Sequence, residues 1–184
     1  MAFSSETFVF GVRDCKIAKL TDESGSSPIY DTSKDVPGIQ EFKVKFNISE
    51  KELRGDDQIL DVRTTIDSIE ISANHAIISK HVLAVMLGGS ATLSGTSPNR
   101  VETYTLDGDD RPNYFKIEAQ VVEVNDVGAD LHFVCYKCKV KDHDMGAKVD
   151  DYYTVSFTAK AIPCQSTDKA FFRLVGNETA QPIT

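Results

Sequence analysis

The sequence predicts a mainly β domain, an antiparallel barrel or sandwich of about seven or eight strands with one short helix and a long projecting hairpin. Three observations predict it. Apolar and polar residues alternate with a period of two over much of the chain, turn-forming residues separate the alternating runs, and only residues 75–87 have helical spacing. At 184 residues the chain fits one domain, residues 1–184.

The first strand is predicted over residues 7–20, where the apolar phase changes near Gly11 or at Arg13 and Asp14. Residues 21–38 follow and are rich in Asp, Ser, Gly and Pro, which predicts an extended loop or arm. A loop of this length usually has a function, so we expect it to lie against a neighbouring molecule.

Residues 39–73 predict two long strands joined by a hairpin loop at residues 49–57. A phase slip in the second strand predicts a bulge near Asp67 and Ser68. A strand over residues 58–72 would be about 50 Å long, so the hairpin is expected to project beyond its domain. One face is predicted to pack and the other to be charged. The packing face carries Phe42, Val44, Phe46 and Ile48, and then Leu60, Val62, Thr64 and Ile66.

A helix is predicted over residues 75–87, with Asn74 as its N-cap and a glycine pair at its end. Leu83 and Leu87 lie opposite the predicted core face, which leaves two interpretations: a helix enclosed between a sheet and a loop, or a subunit contact through these two leucines. Residues 88–100 predict a flexible connection. The predicted core face consists of Ile77, Ile78, Val82, Val85 and Met86.

The second half of the chain is predicted to be strands separated by polar turns, ending in a C-terminal arm over residues 163–184. The arm contains a short apolar run that could form a final strand. The predicted strands cover residues 101–106, 115–121, 131–140, 153–161 and 171–175.

Composition argues against several classes of protein. A formal net charge of −8 and a pI near 5.0 disfavour a surface that grips nucleic acid, which relies on clustered Lys and Arg. No long apolar run or leader sequence predicts membrane insertion, so we expect synthesis in a cytosol. Four cysteines without a regular spacing predict reduced thiols and no disulfide scaffold.

Cys135 and Cys138 have the spacing of half a zinc site, which His132, His143 or Cys164 would have to complete. The pair lies within a predicted strand, where positions three apart point to opposite faces. We therefore interpret both as structural cysteines and predict no metal. The alternative, a zinc hydrolase, depends on these two thiols.

Two further motifs have simpler explanations. Acidic residues around 142–151 resemble part of a calcium loop but lack its ligand rhythm, which favours a solvated acidic loop. Arg54, Gly55 and Asp56 spell a receptor-binding tripeptide, yet Gly55 more simply supplies a turn. No nucleophile, phosphate-binding or metalloprotease motif is present, so the sequence predicts neither an enzyme nor a cofactor.

The order of these features resembles the major tail tube protein of long, non-contractile phage tails. The resemblance is carried by FGVRDCKIA at residues 10–18, by YD and PGI within residues 30–39, by LRGDD at residues 53–57 and by MLGG at residues 86–89. It implies a small β-barrel or sandwich protomer that assembles into hexameric rings, which stack into a hollow tube around a tape-measure protein.

Further partners follow from the same resemblance. A tail tube binds tail terminator and distal tail proteins at its two ends, and it binds no membrane. Its subunits are made in the host cytoplasm and end up in the virion. DNA passes through its lumen without sequence-specific binding. The hairpin loop and the terminal arm would join successive rings. The predicted inter-ring residues are Glu50, Lys51, Glu52, Leu53, Arg54, Asp56 and Asp57.

The polar face of the hairpin is then expected to line the lumen, where acidic side chains would repel DNA and basic ones would pair with them or neutralise the field. Two other functions stay open: the inner tube of a contractile tail or secretion system, and a ligand-binding β-sandwich whose acidic loops hold calcium or a sugar. The predicted lumen-facing residues are Glu41, Lys43, Lys45, Asp61, Arg63 and Asp67.

Overall fold

A computed structural model describes residues 9–123, 128–147, 149–150, 152–166 and 170–183, and it confirms the mainly β, antiparallel class. This part of the chain contains eleven strands, more than the seven or eight expected, because short strands form in segments predicted to be loops. The elements are β1 (Val9–Asp22), β2 (Ile29–Tyr30), β3 (Lys34–Asp35), β4 (Ile39–Gly55), β5 (Gln58–His75), α1 (Lys80–Leu87), β6 (Ser90–Ser94), β7 (Val101–Thr105), β8 (Tyr114–Glu123), β9 (Asp130–Gly146), β10 (Thr154–Ala161) and β11 (Phe172–Asn177).

One antiparallel sheet organises the molecule in the strand order β2-β1-β8-β9-β10-β5-β4. Strand β3 also pairs with β1, β11 also pairs with β9, and β6 with β7 forms a separate two-stranded sheet. The sheet curls until Cα atoms of β1 and β4 lie within 8 Å of each other, yet these strands form no ladder. The sheet is therefore open, and of the two expected architectures the described strands do not form a closed barrel.

The first strand shows the predicted phase change. Its pairing with β8 shifts on both sides of Val12, and Gly11 has a φ of 70°, which only glycine adopts readily. The predicted arm at residues 21–38 is not free, because β2 and β3 pair back onto β1 in the registers Leu20 with Tyr30 and Lys16 with Asp35. Residues 7 and 8 of the predicted strand lie outside the described part of the chain.

The long hairpin is confirmed, but its loop is not. The β4–β5 ladder continues through Gly55 and Gln58, so the turn consists of Asp56 and Asp57 alone, with φ values of 30° and 66°. Two successive positive φ values suit the right-handed twist of a hairpin, and Asp tolerates them better than most residues. The predicted bulge is confirmed, because the register passes over Asp67.

The helix begins later than predicted. Helix α1 starts after Ser79, whose side-chain oxygen accepts a hydrogen bond from the Val82 amide at 3.4 Å. Asn74 is not the N-cap, because it lies in β5 between two paired strands, and ladder pairing there prevails over helical spacing. Of the predicted core face, Ile77 and Ile78 are exposed.

The predicted flexible connection at residues 88–100 is wrong, since β6 lies in it and pairs with β7. The Tyr104 hydroxyl donates to the Gly88 carbonyl at 2.9 Å and fixes the link between α1 and this small sheet. At Gly89, with a φ of 74°, a Cβ atom would collide with the Thr105 carbonyl oxygen. The segment is thus shaped by close backbone packing.

The core lies between the curled sheet and α1, and it includes both cysteines of the CxxC motif. Phe115 pairs with Cys138 and Ile117 with Cys135, so a bulge in β9 turns both thiols to the same buried side. The expected opposite orientation is wrong for this reason. Burial raises the pKa of the Cys138 thiol, and all four cysteines are free. The core cluster is formed by Cys15, Ile17, Val36, Ile69, Ile71, Ala73, Val82, Val85, Met86, Phe115, Ile117, Ala119, Cys135, Cys138, Phe157, Ala159 and Ala161.

Two other expected loops are structured. Asp142 and Asp144 lie in β9, which runs on to Gly146, so the acidic loop is shorter than predicted. Asp150 has a positive φ in the following turn, and Asp151 lies outside the described residues. The arm predicted at residues 163–184 contains β11, which pairs with β9 of its own chain.

Candidate assembly surface

The distal part of the β4–β5 hairpin extends beyond the rest of the sheet. Strand β10 pairs with β5 only over residues 69–75, so among the described residues no third strand continues alongside the pairs from Ile48 with Ile66 to Gly55 with Gln58. We call residues 48–66 the distal arm. Its backbone is held by a single two-stranded ladder, a structure that is marginal in isolation and needs contacts elsewhere.

All six predicted lumen-facing residues lie on one face of the hairpin. The register sets Lys45 opposite Glu70 and Lys51 opposite Arg63, and the bulge keeps Asp67 on the same side, where it accepts a hydrogen bond from Ser49 at 3.0 Å. Whether this face lines a lumen stays a prediction. The six residues are Glu41, Lys43, Lys45, Asp61, Arg63 and Asp67.

This charged face is balanced rather than acidic, since three of the six residues are acidic and three are basic. Glu41 and Lys43 form an ion pair at 2.5 Å, and hydrogen bonding to Lys43 lowers the pKa of the Glu41 carboxyl. Glu70 likewise accepts from Lys141 at 2.8 Å, which lowers its pKa. Paired charges leave little net field toward a polyanion.

The opposite face of the distal arm carries exposed apolar side chains, interrupted toward the tip by Glu50, Glu52 and Thr64. Ile48 is 62% exposed, Ile66 is 52% exposed and Val62 is 45% exposed, although the period-two pattern predicts that this face packs. Phe46, at the base of the arm, is 45% exposed and touches Phe172 edge to face with centroids 5.7 Å apart. We call Phe46, Ile48, Val62 and Ile66 the apolar row. Nearer the body, Phe42 and Val44 do pack against the core.

The tip of the arm is also exposed, and it contains the predicted inter-ring residues. Residues 50–54 extend β4, and Asp56 and Asp57 form the turn, so the predicted loop is absent here. Leu53, Ile59 and Leu60 are each more than half exposed, and the Arg54 guanidinium pairs with Glu52 at 2.5 Å. The predicted contacts Glu50, Lys51, Glu52, Leu53, Arg54, Asp56 and Asp57 are all exposed.

Strand β4 is an edge strand along its whole length, because among the described residues it pairs only with β5. A long edge strand with an apolar face is a template for pairing with another chain, and monomeric proteins usually block such edges. The lysines of β4 protect the other face. On the face of the apolar row Glu50 and Glu52 lie only toward the tip, so Phe46, Ile48 and Ile66 stay exposed beside one another.

The two leucines of the helix that were predicted to contact another subunit lie in the interior instead. Leu83 is 6% exposed and Leu87 packs against the core cluster, so these leucines face the interior of their own chain. Packing from β7 and β1 onto α1 covers the side that helical spacing alone left free. The distal arm, by contrast, could have been found from the length of the alternating strands.

No protein-family model matches the chain, and no curated protein matches its sequence. Within the described ranges, no group of three or more His, Cys, Asp and Glu side chains could hold a metal ion. No helix in this part of the chain is long and apolar enough to cross a membrane. The geometry of the distal arm is therefore the main evidence about function.

Proposed function

We propose that the protein is a self-assembling structural subunit whose copies associate through the distal arm, as in the tail tube of a long, non-contractile phage tail. The observation that carries the proposal is the apolar row, which is bare on a hairpin that projects beyond its sheet. Fully burying an exposed Ile or Val side chain contributes about 1.5–3 kcal/mol, and the side chains of the row have about half of their surface left to bury, so covering the row favours association.

The open sheet gives the geometry of such an assembly. An unpaired edge along β4 can accept a strand or a packed face from the next copy, and head-to-tail contacts of this kind close into a ring when the rotation per subunit permits. In the proposed tube the rings are hexameric, and the tip of the arm contacts the next ring.

The remaining partners come from the family resemblance. In this proposal the rings stack around a tape-measure protein and end on terminator and distal tail proteins, and the product is located in the phage virion. The charged face of the hairpin would face the lumen, where its balance of three acidic and three basic residues supports passage of DNA without tight binding.

The test compares two truncations on one strand. Ile48→Ser removes an exposed apolar side chain from the apolar row, while Lys51→Ser removes an exposed side chain from the opposite face of β4. Sedimentation velocity and negative-stain electron microscopy at high protein concentration should show rings or tubes for the wild type and Lys51→Ser. Ile48→Ser should remain monomeric with an unchanged circular dichroism spectrum.

Two results would overturn the proposal. One is a wild-type chain that stays monomeric at every concentration tested. The other is a pair of variants that assemble equally well, because the apolar row would then have no part in the contact.

A further inference from the structure

A buried polar cluster lies far from the distal arm, where β8, β9 and β11 meet the segment 180–183. His132 is at its centre: its Nδ1 lies 2.8 Å from a Glu118 oxygen and its Nε2 lies 3.0 Å from an Asp130 oxygen. His132, Glu118 and Asp130 are each less than 9% exposed. Charged groups at this depth are costly unless they are paired and hydrogen-bonded.

The segment 180–183 lies against this cluster and has no regular secondary structure. The Gln181 amide donates to Asp130 at 2.9 Å, and the Gln120 side chain donates to the Gln181 carbonyl at 2.9 Å. The Lys16 ammonium donates to the Ile183 carbonyl at 2.7 Å, and the Ile183 side chain is only 2% exposed. Side chains of three strands thus bind the backbone of the segment as they would bind a peptide.

Asp130 joins the histidine to the segment. One of its carboxylate oxygens accepts from His132, Gln181 and Gln120, and the other accepts from Asn177 at 2.7 Å. Any change in charge at His132 therefore acts on the acceptor that holds the Gln181 amide.

The geometry requires the protonated form of His132. Both ring nitrogens face carboxylate oxygens, and only an imidazolium has a proton on each nitrogen. A neutral ring would point a lone pair at one of the two carboxylates. Glu118 and Asp130 would also lose the positive charge that His132 supplies between them. Lys116, 3.0 Å from the other Glu118 oxygen, balances only one of the two acids.

We propose that the cluster is a proton-controlled peptide clasp: it holds the segment 180–183 while His132 is protonated and releases it when the proton is lost. The ligand is a peptide backbone with a buried aliphatic residue two positions beyond the glutamine. This inference stands apart from the assembly of the distal arm. Release would open the cavity that Arg13, Asp14 and Gln120 line together with the segment itself, and it would free the Asp130 and Lys16 groups that hold the segment's backbone.

The direction of the pH dependence follows from the environment of each group. Burial alone would lower the pKa of His132, but hydrogen bonds to Glu118 and Asp130 raise it above its usual range. Burial alone would raise the pKa of Asp130, but hydrogen bonds from Gln120, Asn177 and His132 lower it. The stabilisation from His132 is complete below its unfolded pKa of about 6.5 and is lost as pH rises through the folded value.

Other charged groups face the cluster from every strand around it. Strand β1 contributes Asp14 and Lys16, which pair in register with Gln120 and Glu118 of β8. Strand β8 also contributes Lys116, and β11 contributes the neutral Asn177. Cys15 is buried nearby, and burial raises the pKa of its thiol, so it stays uncharged over the window in question. His132 is therefore the group that titrates near neutral pH.

Amide hydrogen exchange of the full chain, corrected for the intrinsic rate at each pH, tests the clasp from about pH 6 to about pH 9. Protection of the Gln181 amide should fall about tenfold or more as His132 loses its proton, since a charge-assisted hydrogen bond is lost. The His132 ring resonances should titrate with the same midpoint. The protection of the β10 amides from hydrogen exchange should stay the same over this pH range.

Variants sharpen the test. His132→Gln, which cannot carry a charge, should show low Gln181 protection at every pH, while His81→Gln, at an exposed histidine outside the cluster, should behave as wild type. Glu118→Gln should move the midpoint to lower pH, and it keeps the proposal testable if His132→Gln does not fold. Gln181 protection that is constant across the pH range, or that is lost together with β10, would overturn the clasp.

Discussion

The two halves of the β4–β5 hairpin share one ladder and one alternation of side chains, but they differ in what covers them. In the body half, residues 39–46 and 69–75, strand β10 pairs with β5, and Ile69 and Ile71 are at most 1% exposed. In the distal arm, Ile48 and Ile66 occupy equivalent apolar positions and are more than half exposed.

The difference teaches that the same strand pattern can stabilise a fold or leave a surface for association, depending on the neighbouring strands. Phe46 marks the boundary, because it pairs with buried Ile69 and touches Phe172 but is itself 45% exposed. Beyond it the apolar residues stay exposed, because no strand of the described residues besides β4 and β5 pairs alongside them. Exposed apolar surface of this extent is uncommon on monomers.

Shortening the distal arm to its base should have the largest effect on assembly. Replacing residues 50–64 by Asn-Gly closes the hairpin at the Ser49–Thr65 pair. We expect tubes to disappear while the free energy of unfolding of the monomer stays unchanged, measured by electron microscopy and urea titration. As a control, residues 95–100, which connect β6 and β7, are replaced by the same Asn-Gly turn. If tubes still form, residues 50–64 are not the contact.

Truncating one isoleucine in each half should lower the free energy of unfolding by very different amounts. Ile71→Ala creates a cavity in the core and should lower the free energy of unfolding by about 2–5 kcal/mol. Ile66→Ala removes exposed surface and should change it by less than about 0.5 kcal/mol. Urea unfolding of dilute monomer measures both. Equal losses would show that the distal arm is packed in the monomer.

Acid should weaken the body half more than the distal arm. Burial lowers the pKa of His75 at the end of β5 and of His143 in β9, and neither Nε2 has a hydrogen-bond partner among the described residues. Because the folded pKa is lowered, stability is complete above the unfolded value of about 6.5 and falls as pH decreases below it. The pH range in which His75 and His143 change the stability therefore lies below the range in which His132 changes it.

The measurement is the free energy of unfolding against pH for wild type and His75→Asn, which keeps a donor for the Ile77 carbonyl that Nδ1 contacts at 2.8 Å. The free energy of unfolding of the variant should fall less steeply below about pH 6.5 than that of the wild type. His81→Asn, at an exposed site, should keep the whole decline. An unchanged slope in His75→Asn would contradict the assignment.

The smallest effect is expected at the tip. Glu52→Gln removes the ion pair with Arg54, whose guanidinium is 72% exposed, so the monomer should lose no more than about 0.5 kcal/mol. Thermal unfolding at low and high salt checks this. A larger loss would mean that the pair organises the turn, and the distal arm would then be more rigid than its two-stranded ladder indicates.

Local pattern was enough to predict several features of this hairpin. Period-two alternation specified both strands and the common face of Glu41, Lys45 and Arg63, because side chains of a strand alternate by steric necessity. The phase slip located the bulge at Asp67, and Gly11 marked the irregularity of β1. These features depend on residues a few positions apart.

Other features depended on strands that are distant in sequence. A bulge opposite Lys116 turned Cys135 and Cys138 to one side, and pairing with β10 drew Asn74 into a strand instead of a helix cap. The His132 cluster joins residues as far apart as Gln120 and Gln181, which are 61 positions apart. No local spacing predicts such a meeting.

The sequence by itself determined the antiparallel β class, the long hairpin and its two faces, since these follow from backbone geometry and nearest neighbours. Only the tertiary structure decided which part of the apolar face is covered, because burial depends on where β10 ends relative to β5. It also decided that His132 lies between two acids, since long-range pairing sets the environment that fixes its charge.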